Sequence, residues 1–317
     1  MAGRRTIDGF SALTLSADSP DDLEATFVPD AGMVGCSLRH RGEELLGQRG
    51  GLRAYAGKRS TMGIPLLHPW ANVLSEQRFS VAGGEVDLER GSPAPHIDEH
   101  GLPIHGLLSG ARGWRVSRHE ATDGGGTLEA GFDFDADTGL MASFPFPHTV
   151  AFEAVLSTDT LTITTTVRPS GDAPVPISFG YHPYFQLPGV PRSEWEIEIP
   201  VAERLTVDPR MLPTGERERI QVEAGPLGAR TFDDLYVAPA GGAPFVLAGG
   251  GRRIELSADA GYPFAQVYAP ADDDVIAYEP MTAPINALVD RGADLRVVEP
   301  GDGYEATFSI TVRAQDH

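Results

Sequence analysis

Between frequent glycine and proline breaks, apolar and polar residues of this chain alternate with a period of two, and that pattern restricts it to sheet. Tyr304, Ala306, Phe308, Ile310 and Val312 alternate with Glu305, Thr307, Ser309 and Thr311. Trp195, Ile197, Ile199 and Val201 alternate with Glu196, Glu198 and Pro200, and Leu128, Ala130, Phe132 and Phe134 with Glu129, Gly131, Asp133 and Asp135. Residues 150–156 and 161–167 repeat the idea. Side chains of a strand point to opposite faces in turn, so each segment buries one face and wets the other. Such half-wet strands belong to antiparallel sheets packed in a sandwich, because parallel βαβ strands are apolar on both faces. The breaks agree: 37 glycines and 26 prolines in 317 residues keep elements short. No window carries a sustained helical stripe and no shift of composition divides the chain. The fold expected is all-β, a large antiparallel β-sandwich, with residues 1–317 forming a single domain.

Composition then removes whole classes of chemistry. The formal net charge is -20 and no basic run appears, so a phosphate backbone would be repelled and nucleic acid is not an expected partner. A neutral, polar small molecule fits better. No run reaches the roughly 20 apolar residues of a membrane span, and the N-terminal MAGRRTIDGF lacks the apolar stretch of a secretory signal. The expected location is the cytoplasm. Cys36 is the only cysteine and sits among Met33, Val34 and Leu38, which reads as a buried inert thiol. Lys58 is the only lysine and lies in the polar stretch AGKRS, read as a solvated loop, which disfavours Schiff-base chemistry. Gly124–Gly126 and Gly249–Gly251 read as hairpin loops, not nucleotide-binding fingerprints, since no helix follows.

Three clusters could carry chemistry. His96, His100 and His105 share the segment HIDEHGLPIHG. Their spacing invites a metal reading, but Gly101 and Pro103 break any helix that would align them. The competing reading is a polar loop with one functional histidine. His182 lies in ISFGYHPYFQLPG among aromatic residues. It is either a satisfied core histidine or part of a sugar pocket, and Gly180 and Pro183 set it at a turn or strand end. Glu279 follows the apolar run Val275–Tyr278, just before Pro280. At the end of a buried strand a carboxylate costs desolvation unless it has a partner or a task. Burial would raise its pKa toward the range of a general base; the alternative is a solvated glutamate.

Taken in order, the segments GIPLLHPWAN (63–72), IHGLL (104–108), FGYHPYFQLPG (179–189), FDDLYV (232–237), FAQVYAP (264–270) and YEPMTAPINAL (278–288) resemble the aldose 1-epimerase (galactose mutarotase) family. The resemblance implies a many-stranded antiparallel supersandwich with a sugar in an open cleft. It implies interconversion of the α and β anomers of a free aldohexose, with no metal and no cofactor. Glu279 matches the family's general base, His182 its general acid, and His105 a second histidine that supports ring opening. His182 would be the protonated partner, because histidine titrates near pH 6.5. Asp233 matches the aspartate that holds sugar hydroxyls, with Asp234 as rival, and Gln266 and Asn72 match positions giving polar contacts. Many members carry arginine directly after the asparagine at the position of Asn72, where this chain has Val73. Arg78 is the nearest replacement in sequence, and is therefore a candidate substrate-binding residue. Two alternatives remain beside this one, a hexose-6-phosphate 1-epimerase and a non-catalytic carbohydrate-binding protein of the same fold. The chain is expected to act as a monomer or homodimer.

Overall fold

A computed structural model of the chain describes residues 1–18 and 23–315. Strands dominate, and every ladder within its sheets is antiparallel. The largest sheet has nine strands, in the order 115–122, 125–133, 148–156, 160–169, 304–314, 252–260, 245–249, 196–198 and 225–226. An eight-stranded sheet runs 213–219, 203–207, 232–237, 264–269, 276–281, 180–181 and 66–67, with Tyr184–Phe185 also pairing to Ile276–Met281. Five N-terminal strands between Ala2 and Glu44 make a third sheet. The large sheets draw alternately on the same stretches of chain.

The period-two segments behave as their pattern requires. Ala306, Phe308, Ile310 and Val312 are buried while Glu305 is exposed, and strand His148–Leu156 alternates in the same way. One continuous core gathers Phe27, Phe152, Ile163, Ile254 and Phe308 with Tyr236, Val267 and Tyr278, the inner face of the eight-stranded sheet. Tyr278 also donates its hydroxyl to the Val246 carbonyl at 2.6 Å, joining the two large sheets. Cys36 is 3% exposed, and burial pushes its thiol up to about 12, as an inert core residue should be. Lys58 is a correction: it is exposed, but it closes a helix, Gly51–Lys58, not a loop. Leu52 and Tyr55, three apart, are that helix's buried face; eight residues with two glycines are too short to show as a stripe.

The core also holds a buried pair of histidines, His68 and His148. His148 Nδ1 lies 2.6 Å from the Phe146 carbonyl and must donate to it, so its Nε2 accepts from His68 Nε2, 2.7 Å away. Burial lowers His148 to about 4 and His68 well below its usual value. With unfolded histidine near 6.5, the unfolded chain binds more protons between pH 6.5 and about 4. The contribution of these neutral rings is therefore complete above pH 6.5 and is lost as pH falls toward 4. Each such proton gives a slope of about 1.4 kcal/mol per pH unit. His148→Phe, whose ring can keep the stacking on Phe134, should flatten the dependence of urea-unfolding free energy between pH 6.5 and 4.5 by about one proton. An unchanged slope would show that His148 is not held neutral.

Candidate functional site

The outer face of the eight-stranded sheet carries a cleft of about 320 Å³, within the roughly 300–1,000 Å³ of small-molecule sites. Strand register explains which side chains meet there. Strand Ile276–Met281 pairs on one side with Phe264–Ala269, setting Gln266 opposite Glu279 and Tyr268 opposite Ala277. On its other side the neighbour is interrupted, since Gly180 pairs with Met281 and Tyr184 with Ala277. Extending that register across the gap sets His182 opposite Glu279. Pro280, which has no N–H, is tolerated inside this strand because its flank faces the interruption. The expectation of Glu279 at a strand end is thus corrected: it lies within Ile276–Met281. Gly180 is dictated by the same crowding, as a Cβ there would come 2.7 Å from the Pro280 carbonyl oxygen.

At the centre His182 Nε2 lies 3.1 Å from Glu279 Oε1, and the two side chains are 6% and 1% exposed. Tyr184 stacks on the His182 ring at 4.1 Å, and its hydroxyl reaches His182 Nε2 at 3.2 Å and Thr61 at 2.6 Å. His105 stands edge-on to His182, ring centroids 5.4 Å apart. It is held in the left-handed region, φ 62°, by its backbone N–H donating to the Asn72 carbonyl. Glu279 Oε2, His182 Nδ1 and His105 Nδ1 are buried with no hydrogen-bond partner among the described residues. Unmet polar atoms at the base of a cleft are unfavourable unless something polar enters it.

Burial also sets the protonation. Desolvation, then the Asp233 charge, push Glu279 well above the usual carboxylate range. Desolvation, then His105 and Arg49, push His182 well below 6.5, and His105 falls to about 3 for the same leading reason. Burial therefore favours a proton on Glu279 and a neutral His182, a correction to the expectation of a resident imidazolium. The pair holds one proton in either arrangement.

The remaining candidates are placed unequally. Asp233 lies opposite Tyr268 on the cleft face, whereas Asp234 projects to the other face and pairs with Arg204 at 2.9 Å. Parity thus separates two residues that the sequence left as rivals. Gln266 is fully buried below the floor and donates to Asp233 Oδ1 at 2.7 Å, so it holds the aspartate. Asn72 and Val73 both line the cleft, Asn72 at φ 58° with Oδ1 accepting the Val73 N–H. Arg78 is not brought to the cleft. Its exposed guanidinium pairs with Asp87 and Glu89 on a separate hairpin, because five residues of chain turn it away from Asn72. Of the three-histidine segment, His100 and His105 reach the cleft and His96 is exposed on a short strand beside it. Among the described residues no group of three or more His, Cys, Asp or Glu is arranged to hold a metal ion.

Among the lining residues, Tyr268 and Arg49, like Pro209 and Met211, were not foreseen. Tyr268 had a signal, for it is two residues from Gln266 on one strand and so shares its face. Arg49 had none, since it comes from a loop far away in sequence.

The family model for aldose 1-epimerase matches residues 19–311. A galactose mutarotase-like protein of Clostridium acetobutylicum superposes with a TM-score of 0.84, 18% identity and 99% of each chain covered. An aldose epimerase homologue of C. elegans gives 0.73 and 16% over the whole of both chains. A galactose mutarotase-like protein of Lactobacillus casei gives 0.70 and 15%, covering 94% of this chain and all of its own. No curated protein sequence matches.

Proposed function

This chain belongs to the aldose 1-epimerase family, and from that premise we propose that it interconverts the α and β anomers of a free, uncharged aldohexose. The observation that carries the reading is the His182–Glu279 pair, buried side by side at the base of an open polar cleft. Ring opening needs a proton removed from the C1 hydroxyl and one delivered to the ring oxygen. Rotation about C1–C2 then exposes the other carbonyl face, and closure reverses both transfers. Glu279 acts as the base and His182 as the acid, with His105 supporting the opening sugar. The competent arrangement puts the shared proton on His182 and the charge on Glu279. A C1 hydroxyl donating to the carboxylate favours that arrangement, because it replaces the solvation that burial removed. Turnover should fall both when the pair gains a second proton and when it loses its only one.

Charge supports an uncharged sugar over a 6-phosphate. Asp98, Glu99 and Asp233 line the cleft against one arginine among its described lining residues, Arg49, and a phosphate site would want clustered arginines. Polarimetry on freshly dissolved α-aldoses, with and without protein, tests the whole reading. Faster mutarotation of aldoses but not of their 6-phosphates is expected; a protein that binds aldoses and leaves their mutarotation rates unchanged would be a carbohydrate-binding member of the fold. Since acid–base transfer needs no Lewis acid, turnover should persist in EDTA, and loss restored by one divalent ion would overturn the mechanism.

The two aspartates give a sharper expectation. Asp233→Asn should raise KM about tenfold or more, the worth of a hydrogen bond to a charged group. Asp234→Asn should leave KM within about threefold, since that carboxylate faces Arg204. Equal effects in the two variants would contradict the register argument.

A further inference from the structure

Arg49 is the one arginine among the described residues that line the cleft, and its loop is built into the site. Gly47, two residues earlier, donates its N–H to the Tyr184 carbonyl at 3.0 Å, and Tyr184 returns its own N–H to Gly63. A Cβ at Gly47 would stand 2.6 Å from Val275, so the loop lies close against the strand that leads to Glu279. Gln48 anchors the turn by donating to the Cys36 and Leu46 carbonyls. From that base the Arg49 guanidinium lies over the Tyr184 ring, 4.9 Å from its centroid. Its Nε is 3.6 Å from Asp273, and the Tyr268 side chain lies beside it on the cleft lining. Its side chain is only 29% exposed.

A guanidinium has five N–H donors in a planar fork, and these contacts occupy only part of it. The same Tyr184 ring stacks on His182, so the cation is fixed within two rings of the acid–base pair. We propose that Arg49 is a substrate-binding residue that donates in pairs to neighbouring hydroxyls of the bound sugar. The inference rests on the sugar reading above, and its position beside His182 and His105 also gives the cation a hold on their titration. Pinned by a ring face and a carboxylate, the fork is ordered before the sugar arrives, which is what makes a hydrogen-bonding side chain effective in binding.

The test separates binding from turnover with 1,5-anhydroglucitol and 1,5-anhydrogalactitol, which lack the C1 hydroxyl and cannot epimerise. In calorimetry Arg49→Met should weaken whichever probe the native protein binds by about 10–100-fold. KM for the matching aldose should rise in step while kcat stays within about fivefold, and the acid limb of the pH profile should move to higher pH as the neighbouring cation is lost. If Arg49→Met does not fold, Arg49→Lys serves instead: one ammonium cannot donate as a planar fork, and at least a fivefold loss of probe binding is expected. Unchanged probe binding and KM in a folded variant overturn the proposal while leaving the epimerase reading intact. Probe binding that depends on Arg49 in a protein with no turnover upholds the proposal and overturns the epimerase reading. Native protein that neither binds a probe nor turns over an aldose overturns both.

Discussion

Glu279→Gln is expected to lower kcat by about 10²–10⁴-fold, the usual effect of removing a positioned acid or base, with far less change in KM. The variant keeps the size of the side chain and can still hydrogen-bond His182, 3.1 Å away. It cannot accept the proton of the C1 hydroxyl. His182→Asn removes the other half of the pair and should fall as far, because a step that needs both transfers gains nothing from one. Binding contacts from His105 and Asp233 stay in place, so the loss should appear in kcat. Stability moves the opposite way for the glutamate. Burial holds its pKa well up, so ionising it in the folded protein is unfavourable, and an amide removes that cost. Glu279→Gln should therefore melt no lower than the native protein at pH 8, which separates lost catalysis from lost folding. A folded Glu279→Gln protein turning over an accepted aldose within a few-fold of native would sink the assignment of the base.

The sheet class could be read from the chain because period-two alternation is a local property, legible over stretches such as 304–312 without knowing what pairs with what. That His182 and Glu279 belong to one site was legible only through the resemblance of GYHPYF and YEPMTAP to family segments; the residues alone left a core histidine and a solvated glutamate open. What could not be read was parity between strands. Asp233 and Asp234 look equivalent in FDDLYV, and only the pairing of Asp233 with Tyr268 fixes which of them shares a face with Glu279. Arg78 shows the converse failure, since nearness in sequence to Asn72 carries no information once a hairpin at 78–87 turns the side chain toward Asp87 and Glu89. Arg49 belongs to the same class of long-range fact. Protonation was misjudged for a physical reason: an unperturbed histidine pKa ignores desolvation, which here outweighs every other influence on His182.

Gly106→Ala is expected to destabilise the protein by about 3 kcal/mol or more and to reduce activity with it. Gly106 has φ 73°, and a Cβ there would stand 2.3 Å from the His68 carbonyl oxygen and 2.8 Å from its nitrogen. Two terms add. The left-handed backbone costs an alanine about 1–2 kcal/mol, and the overlap is with backbone, which cannot swing aside like a flexible side chain. That backbone is also committed, because the His68 carbonyl accepts the N–H groups of Leu107 and Leu108 at 2.7 and 3.2 Å. Relief must come from moving the segment that carries His105, itself at φ 62° and 5.4 Å from the His182 ring. The glycine of the IHGLL segment thus sets the position of the second histidine by letting two backbones approach. Gly101 is the control: its φ is 80°, but nothing lies within 4 Å of the Cβ position, so Gly101→Ala carries the first term alone. Thermal melting of both variants, with polarimetry beside it, should show Gly106→Ala lowered by roughly 6 °C or more, at roughly 2–4 °C per kcal/mol for a large domain. Gly101→Ala should shift by a fraction of that and keep its turnover. If the two glycines prove equivalent in melting and activity, the close approach of His68 does not position His105, and the segment owes its wording to the turn alone.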